Sequence, residues 1–353
     1  MLINIYSLHL KNKAIIINLF FQLTSLSIII AIFNRKDELF ELLNSLSHQS
    51  DKDFELIIVD DGSRIALLPT VELFQEQMDI KFFRKENSGP GLSRNYGAKR
   101  AKNDWLVFLD SDVIVETDYI ENIKKNLREN PCDAFGGADK AHKGFNLMQK
   151  AISYAMTSVL TTGGIRGNRN AVTKFQPRSF NMGVNKEIFL KVGGFSDMRI
   201  GEDPDFSMTL WENGYTTKFY DNIGVYHKRR ADVAKFSKQV YQFGCARPIL
   251  NQRHPKYTKL TFWFPSVFLL GYLVAIIHYL FWNSGLLLTC YGLYTVLVFF
   301  HALIVTRNIS IASMALICTY IQMFSYGYGF LKSWLKLNIL KQSPEEAFPK
   351  HFR

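Results

Sequence analysis

The sequence predicts an α/β protein: a mixed, mostly parallel sheet with helices on both faces, followed by helices that enter a membrane. Three observations carry this. Apolar runs of strand length alternate with helical periodicities from about residue 26 to residue 110. Two of those runs stop at acidic clusters, Asp60-Asp61 and Asp110-Ser111-Asp112. Residues 260–331 are almost free of charge, with only His278, His301 and Arg307 able to carry one.

The elements follow in order. Residues 14–33 contain no charge. By length they suit a spanning helix or, behind Lys11 and Lys13, a signal peptide. Their second half, Leu26–Phe33, is instead an isoleucine-rich run ending at Asn34-Arg35, as a parallel strand buried on both faces reads. Residues 1–25 are then an N-terminal extension. Lys36–Gln49 carries Leu39, Leu42, Leu43 and Leu46 at helical spacing. Phe54–Val59 is a second strand, Ile80–Arg84 a short third, Gly91–Ala101 a small-residue helix and Trp105–Leu109 a fourth strand. Farther on, Asn181-Met182-Gly183 precedes a short helix and Gly193-Gly194-Phe195 makes a turn. In Gly201-Glu202-Asp203-Pro204-Asp205-Phe206 the proline marks a first helical turn, with Asp203 expected as its N-cap and Gly214 as its close.

Charge is unevenly placed. The formal net charge is +11, and nine Lys/Arg against one acid, Asp232, lie between His227 and Lys259. A basic run directly before apolar stretches suits the cytoplasmic face of a membrane. No nucleic-acid motif accompanies it, so nucleic acid is not an expected partner. Three apolar stretches follow, about Thr261–Trp282, Gly285–Val305 and Ser310–Leu331, each near the length of a spanning helix. Three crossings would put the C-terminus outside, whereas Lys332, Lys336, Lys341, Lys350 and Arg353 favour the inside. One stretch is therefore open to being re-entrant or interfacial. The four cysteines, Cys132, Cys245, Cys290 and Cys318, form no C-x-x-C pair, which excludes a disulfide framework and a zinc site of that type.

In parallel sheets ligands bind beyond the carboxyl ends of the strands. Two strands ending in acids place several carboxylates in one crevice. Such carboxylates repel one another unless a cation lies between them. Hard oxygen donors suit Mg²⁺ or Mn²⁺ with substrate phosphates as further ligands. Asp203, at a helix start, is a carboxylate kept ionised, as a general base requires.

Together these segments resemble inverting glycosyltransferases of family 2, which have the GT-A nucleotide-sugar fold. The resemblance rests on Ser27–Arg35 (SIIIAIFNR), Phe54–Ser63 (FELIIVDDGS), Gly89–Ala98 (GPGLSRNYGA), Trp105–Asp112 (WLVFLDSD) and Gly194–Phe206 (GFSDMRIGEDPDF), and covers about residues 26–255. It implies that Asp61 contacts the nucleotide base, with Asp60 beside it either capping the loop or joining that contact. Asp110 serves the ribose side and Asp112 a Mg²⁺ or Mn²⁺ ion, with His227 as a further metal ligand. Arg94 lies near the nucleotide or its phosphates, and Arg247 is a diphosphate contact. Asp203 is the base and Glu202 orients its neighbours or the acceptor. The implied partners are a nucleoside-diphosphate sugar, a UDP-sugar first, and a lipid-linked or glycan acceptor.

One departure matters. Processive membrane members carry Gln-x-x-Arg-Trp after the base, whereas here Gln242 and Arg247 are five apart with no Arg-Trp pair. Single sugar additions are expected rather than polymer synthesis. A sugar-phosphate nucleotidyltransferase would need a Gly-rich basic loop after the first strand, and a dinucleotide oxidoreductase would need G-x-G-x-x-G there; Ile32-Phe33-Asn34-Arg35 is neither. The alternative outside enzymology is a catalytically degenerate scaffold or export subunit that binds nucleotide without turnover. The expected organisation is an extension to residue 25, a catalytic domain over 26–255, a membrane region over 256–334 and a basic tail over 335–353. The expected location is the cell inner membrane or plasma membrane, multi-pass, with the catalytic domain cytoplasmic.

Overall fold

The computed structural model describes residues 25–140, 145–162, 174–227 and 232–352, so the N-terminal extension lies outside the described residues. The first half alternates as expected: β1 (Leu26–Ile32), α1 (Lys36–Ser47), β2 (Phe54–Asp60), α2 (Leu68–Glu72), β3 (Asp79–Arg84), α3 (Pro90–Ala98) and β4 (Trp105–Asp110). Every residue of β2 is buried, and so are all of β1 but Ala31. A strand covered on both faces needs this unbroken apolar character, which is why these runs were readable. α1 covers one face with Leu39, Leu42, Leu43 and Leu46, all fully buried. α3 lies on the other face, close enough that a Cβ at Gly97 would sit 2.7 Å from Ile29.

Eight strands form one sheet in the order β3-β2-β1-β4-β7-β6-β8-β5. β5 is Val113–Ile114, β6 Ala134–Lys140, β7 Asn181–Asn185 and β8 Thr217–His227. The helices between are α4 (Tyr119–Glu129), α5 (Leu147–Thr157), α6 (Val159–Thr162), α7 (Lys186–Lys191) and α8 (Glu202–Glu212). β3, β2, β1 and β4 are parallel, β7 runs against β4, and β5 runs against β8. In the parallel half Ile32 pairs with Asp60 and Ala31 with Asp110. Register therefore delivers the ends of β1, β2 and β4 to the same edge, with their acids level. Gly183 of β7 leaves room for the Phe135 ring of β6, which would lie 1.9 Å from a Cβ there.

One expectation is corrected. The N-cap of α8 is Gly201, not Asp203. Gly201 takes φ 92°, a left-handed turn that L side chains rarely adopt, so helical geometry begins at Glu202. Asp203 is the second helical residue. Pro204 still falls within the first turn, where its missing N–H costs nothing. The far end closes as expected, on Gly214 at φ 83°.

α9 (Val233–Arg253) leads to three helices long and apolar enough to cross a membrane: α10 (Phe264–Trp282), α11 (Leu286–Thr306) and α12 (Ile309–Trp334). A short α13 (Pro344–Ala347) follows. The end of α9 is tied to α8 by ionic contacts centred on the buried Asp205 and His254. Asp205 accepts from Arg253 Nε at 2.9 Å and from His254 Nε2 at 3.0 Å, and His254 Nδ1 contacts Glu212 at 2.9 Å. Burial works against a charge on His254, but the hydrogen bonds to Asp205 and Glu212 outweigh it and raise the imidazole above the ordinary histidine range.

A histidine whose folded pKa is raised stabilises fully below its unfolded value, and that contribution is lost as pH rises through the folded value. We expect thermal stability to fall as pH climbs from about 6.5 upward. The slope should flatten in His254→Gln, measured by thermal melts of detergent-solubilised protein across pH 5.5–9 (about the range over which the imidazole titrates). An unchanged slope in the variant would remove His254 from this role.

Candidate active site

The site is built at the sheet edge where β1, β2 and β4 end. The first layer is the turn after β2. Asp60 accepts from Ser63 N at 2.8 Å and lies 3.6 Å from Arg84 Nε. It closes the Asp60–Ser63 turn. Asp61, 4% exposed, points the other way: it accepts from Ser88 N at 2.8 Å, Gly89 N at 2.9 Å and Lys85 Nζ at 2.5 Å. The loop before α3 is thereby folded onto the end of β2. In the structure both carboxylates are taken up by protein partners, Asp60 by its own turn and Asp61 by the loop before α3.

The second layer is α3. Its Arg94 is 4% exposed and lies between two carboxylates from distant parts of the chain. Nη2 donates to Asp110 at the end of β4 (2.6 Å) and Nη1 to Glu202 at the start of α8 (3.0 Å). Burial opposes the charge on Arg94, but Asp110 and Glu202 outweigh it and hold the guanidinium protonated. Glu202 is pushed up to about 7 by burial and by the neighbouring Asp203 carboxylate, against the pull of Arg94. Close approach is needed for this bridge. At Gly91 a Cβ would lie 3.4 Å from Glu202 Cγ and 3.2 Å from Phe195 Cβ. Asn95 locks the same region: Nδ2 donates to Phe195 O (2.7 Å) and Oδ1 accepts from Phe195 N (2.9 Å). The Gly-Gly-Phe turn is thus the anchor of α3 on the segment leading to α8.

Asp112, past the end of β4, is ion-paired with Arg35 Nη1 at 2.6 Å. Arg35 stands in the loop after β1. Asp203 contacts Arg178 Nη1 at 3.3 Å. The His227 side chain lies outside the described residues; its backbone pairs with Val113, directly after Asp112. Arg247, on α9, has its guanidinium 4.3 Å from the centre of the Phe262 ring. Its neighbour Ala246 places its Cβ 3.5 Å from the Cβ position of Gly201.

The arrangement brings Asp61, Arg94, Asp110, Asp112, Glu202 and Asp203 to one edge. Among the described residues no three His, Cys, Asp or Glu side chains converge as a ready metal cage. Asp110 and Asp112 supply hard oxygen donors of the kind Mg²⁺ or Mn²⁺ takes together with ligand phosphates, but Asp110 is paired with Arg94 and Asp112 with Arg35, so an ion there would share or displace those arginines. Sequence reasoning missed Arg178, Arg35 and Arg199. Arg199 Nη2 donates to Asn87 (3.1 Å), and its side chain lies under Gly89, 3.1 Å from a Cβ there. Its buried Nε finds no acceptor among the described residues. Arg35 and Arg199 lie within the motif segments and Arg178 outside them, but none carries a spacing signal that names its partner; only the fold brings them in.

An α/β sheet with paired acids at its edge and a helix-start carboxylate opposite is the arrangement with which the known proteins can be compared. The family model for glycosyl transferase family 2 matches residues 27–192. An uncharacterised glycosyltransferase of Haemophilus influenzae is 31% identical over 222 residues, covering 59% of this chain and 71% of the relative. The chain belongs to glycosyl transferase family 2. Two longer relatives are matched over only 18% of their length. The fold is shared with a mannosyltransferase from Pyrobaculum calidifontis, solved with GDP-Man and Mn²⁺ (TM-score 0.53, 16% identity, 84% of this chain and 86% of that one). It is shared also with residues 1–349 of S. aureus TarS, solved with UDP (TM-score 0.50, 18% identity, 85% and 90%).

Replacing Arg94 by Leu leaves the buried Glu202 and the partly exposed Asp110 without their cation. Breaking a buried pair in this way costs about 3–5 kcal/mol. We expect Arg94→Leu to melt well below wild type, and Arg94→Lys to recover part of the loss but not the two-sided contact. Equal melting temperatures for Arg94→Leu and wild type would show that the bridge is not formed.

Proposed function

We propose that this chain is a membrane-bound glycosyltransferase that moves a sugar from a nucleoside-diphosphate sugar to a lipid-linked or glycan acceptor, with inversion at the anomeric carbon. The observation that carries this is the Arg94 bridge, which sets the start of α8 with Asp203 against the end of β4 with Asp110 and Asp112. A UDP-sugar is the first candidate donor, since one structural neighbour was solved with UDP; GDP-Man in the other keeps the base open.

In this reading Asp61 holds the nucleotide base, and Asp110 the ribose side. Arg199 and Arg247 are the cations available to the diphosphate. Asp112 would hold Mg²⁺ or Mn²⁺, with His227 as a further ligand, and the bound ion would offset the charge on the leaving diphosphate. Asp203 takes the proton from the acceptor hydroxyl. As the acceptor oxygen bonds to the anomeric carbon, the bond to the diphosphate breaks. One displacement suffices, so no sugar–enzyme intermediate is formed. Arg178 orients the Asp203 carboxylate, and Glu202, held by Arg94, orients the helix start. The catalytic domain faces the cytoplasm, where nucleotide sugars are made, at the inner or plasma membrane. Single additions are favoured over polymer synthesis.

Asp203→Asn keeps shape and removes basicity. We expect normal melting and donor binding, with transfer reduced by roughly 10²–10⁴-fold. In the same assay EDTA should abolish wild-type transfer and Mn²⁺ or Mg²⁺ restore it. Near wild-type turnover of Asp203→Asn would remove it as the base, and full activity in excess EDTA would remove the metal. Nucleotide binding with no turnover by the wild-type chain on any nucleotide sugar would point to the scaffold reading instead.

A further inference from the structure

Three helices qualify as spans by length and composition, but their packing divides them. The second half of α12, from about Ser325 onward, lies along α9, and the two run parallel. Ser237 Oγ is 2.9 Å from Ser325 Oγ. Farther along, a Cβ at Gly244 would lie 2.3 Å from Tyr326 O, and one at Gly329 would lie 2.4 Å from Tyr241 O. The rings of Tyr241 and Tyr328 are stacked at 5.9 Å. Glycines on both helices therefore let the backbones touch, an approach that fixes the pairing closely. α9 carries Lys235, Lys238, Arg247 and Arg253, and cannot lie across hydrocarbon. A partner lying along it is held at the same level. α12 is also the most covered of the three, with Thr319, Gln322 and Ser333 buried against protein.

α10 and α11 are different. They present Val267, Ile277, Leu280, Phe281, Leu286 and Ile304 outward, each at least half exposed. Their entry and the exit of α12 lie together: Trp263, just before α10, meets Trp334 edge-to-face at 5.3 Å, and Ser266 Oγ donates to Gly327 O at 3.1 Å. Beyond α12 the chain returns to the catalytic domain. Lys336 Nζ donates to Ala347 O (3.0 Å), Phe348 and Phe352 pack in one cluster with Met198, Met208 and Leu250, and His351 O accepts from Arg199 N at 2.7 Å.

The geometry points to an even number of crossings: the α10–α11 hairpin alone enters the bilayer, α12 lies with α9 at its surface, and the C-terminal tail shares a face with the catalytic domain. This rests on the membrane-bound reading, and it goes beyond it. It resolves the charge conflict of the sequence, since the lysines after α12 then lie on the same side as the basic run before α10. It also makes the tail a buttress of the loop that carries Met198, Arg199 and Gly201 into the site.

The test uses the full chain in native membranes, with its cysteines replaced. Lys125→Cys marks the catalytic domain and Gln342→Cys the tail; both positions are exposed. A membrane-impermeant maleimide is applied to intact and to permeabilised cells. The same labelling pattern for both positions is expected. Opposite patterns, one labelled in intact cells and the other only after permeabilisation, would overturn the inference in favour of three spans. Independently, Ser237→Cys with Ser325→Cys should form a cross-link on mild oxidation. Failure to cross-link in protein that melts like wild type would equally overturn it. Recovery of the chain in the soluble fraction without detergent would instead sink the membrane-bound reading, leaving the α9–α12 contact to be judged by the cross-link.

Discussion

The Arg94 guanidinium, buried between Asp110 and Glu202, is the contact on which the rest of the site depends. Its two partners come from opposite parts of the fold, one from the central parallel sheet and the other from the helix after the Gly-Gly-Phe turn. Taking Arg94 and Glu202 out of water is costly, and the net stability of such an arrangement is small. What it supplies is placement: an arginine held on both sides fixes the distance between the strand end that carries Asp110 and Asp112 and the helix start that carries Asp203. The glycines nearby serve that end. Gly91 lets α3 approach Glu202, and Gly201 turns the chain so that helical geometry starts one residue before Asp203.

Several parts of this were legible in the sequence, and the reason is physical. Strands buried on both faces must be apolar throughout, so β1, β2 and β4 stand out as runs, and their ends are marked by the acids that follow. β6 and β8 were harder: both lie inside the sheet, between β7 and β5, yet AFGGADK and TKFYDNIGVYH mix glycine and polar residues and show no unbroken apolar run. The identity of the N-cap was misjudged because Asp is a common cap and the left-handed Gly201 was not weighed; once a glycine supplies the turn, the side-chain cap is not needed. Arg94 was legible as a site residue, but not its partners. Two ion pairs spanning 16 and 108 residues of sequence have no local signature. The same holds for Arg178, Arg199 and the Asp205–His254 clamp.

The C-terminal region shows how far composition reaches. Length and apolarity marked three helices correctly as candidates, yet they do not distinguish a helix that faces lipid from one that faces protein. Packing does, through the glycine contacts that lay α12 on a basic helix. In the proposed arrangement the membrane elements and the catalytic loop form one mechanical unit. Ala246 and Leu250 of α9 touch Gly201, and the tail holds the residues just before it. An acceptor drawn from the bilayer would then meet a base whose loop is braced from the membrane side.

The claim that one arginine couples the two halves of the site is tested most directly by a double-mutant cycle. Asp110→Asn, Glu202→Gln and the double variant are compared by kcat/KM for transfer. If both carboxylates act through Arg94, the double variant loses less than the sum of the single losses, with a coupling of about 1–3 kcal/mol. Losses that add within about 0.5 kcal/mol would show two independent sites and contradict the account.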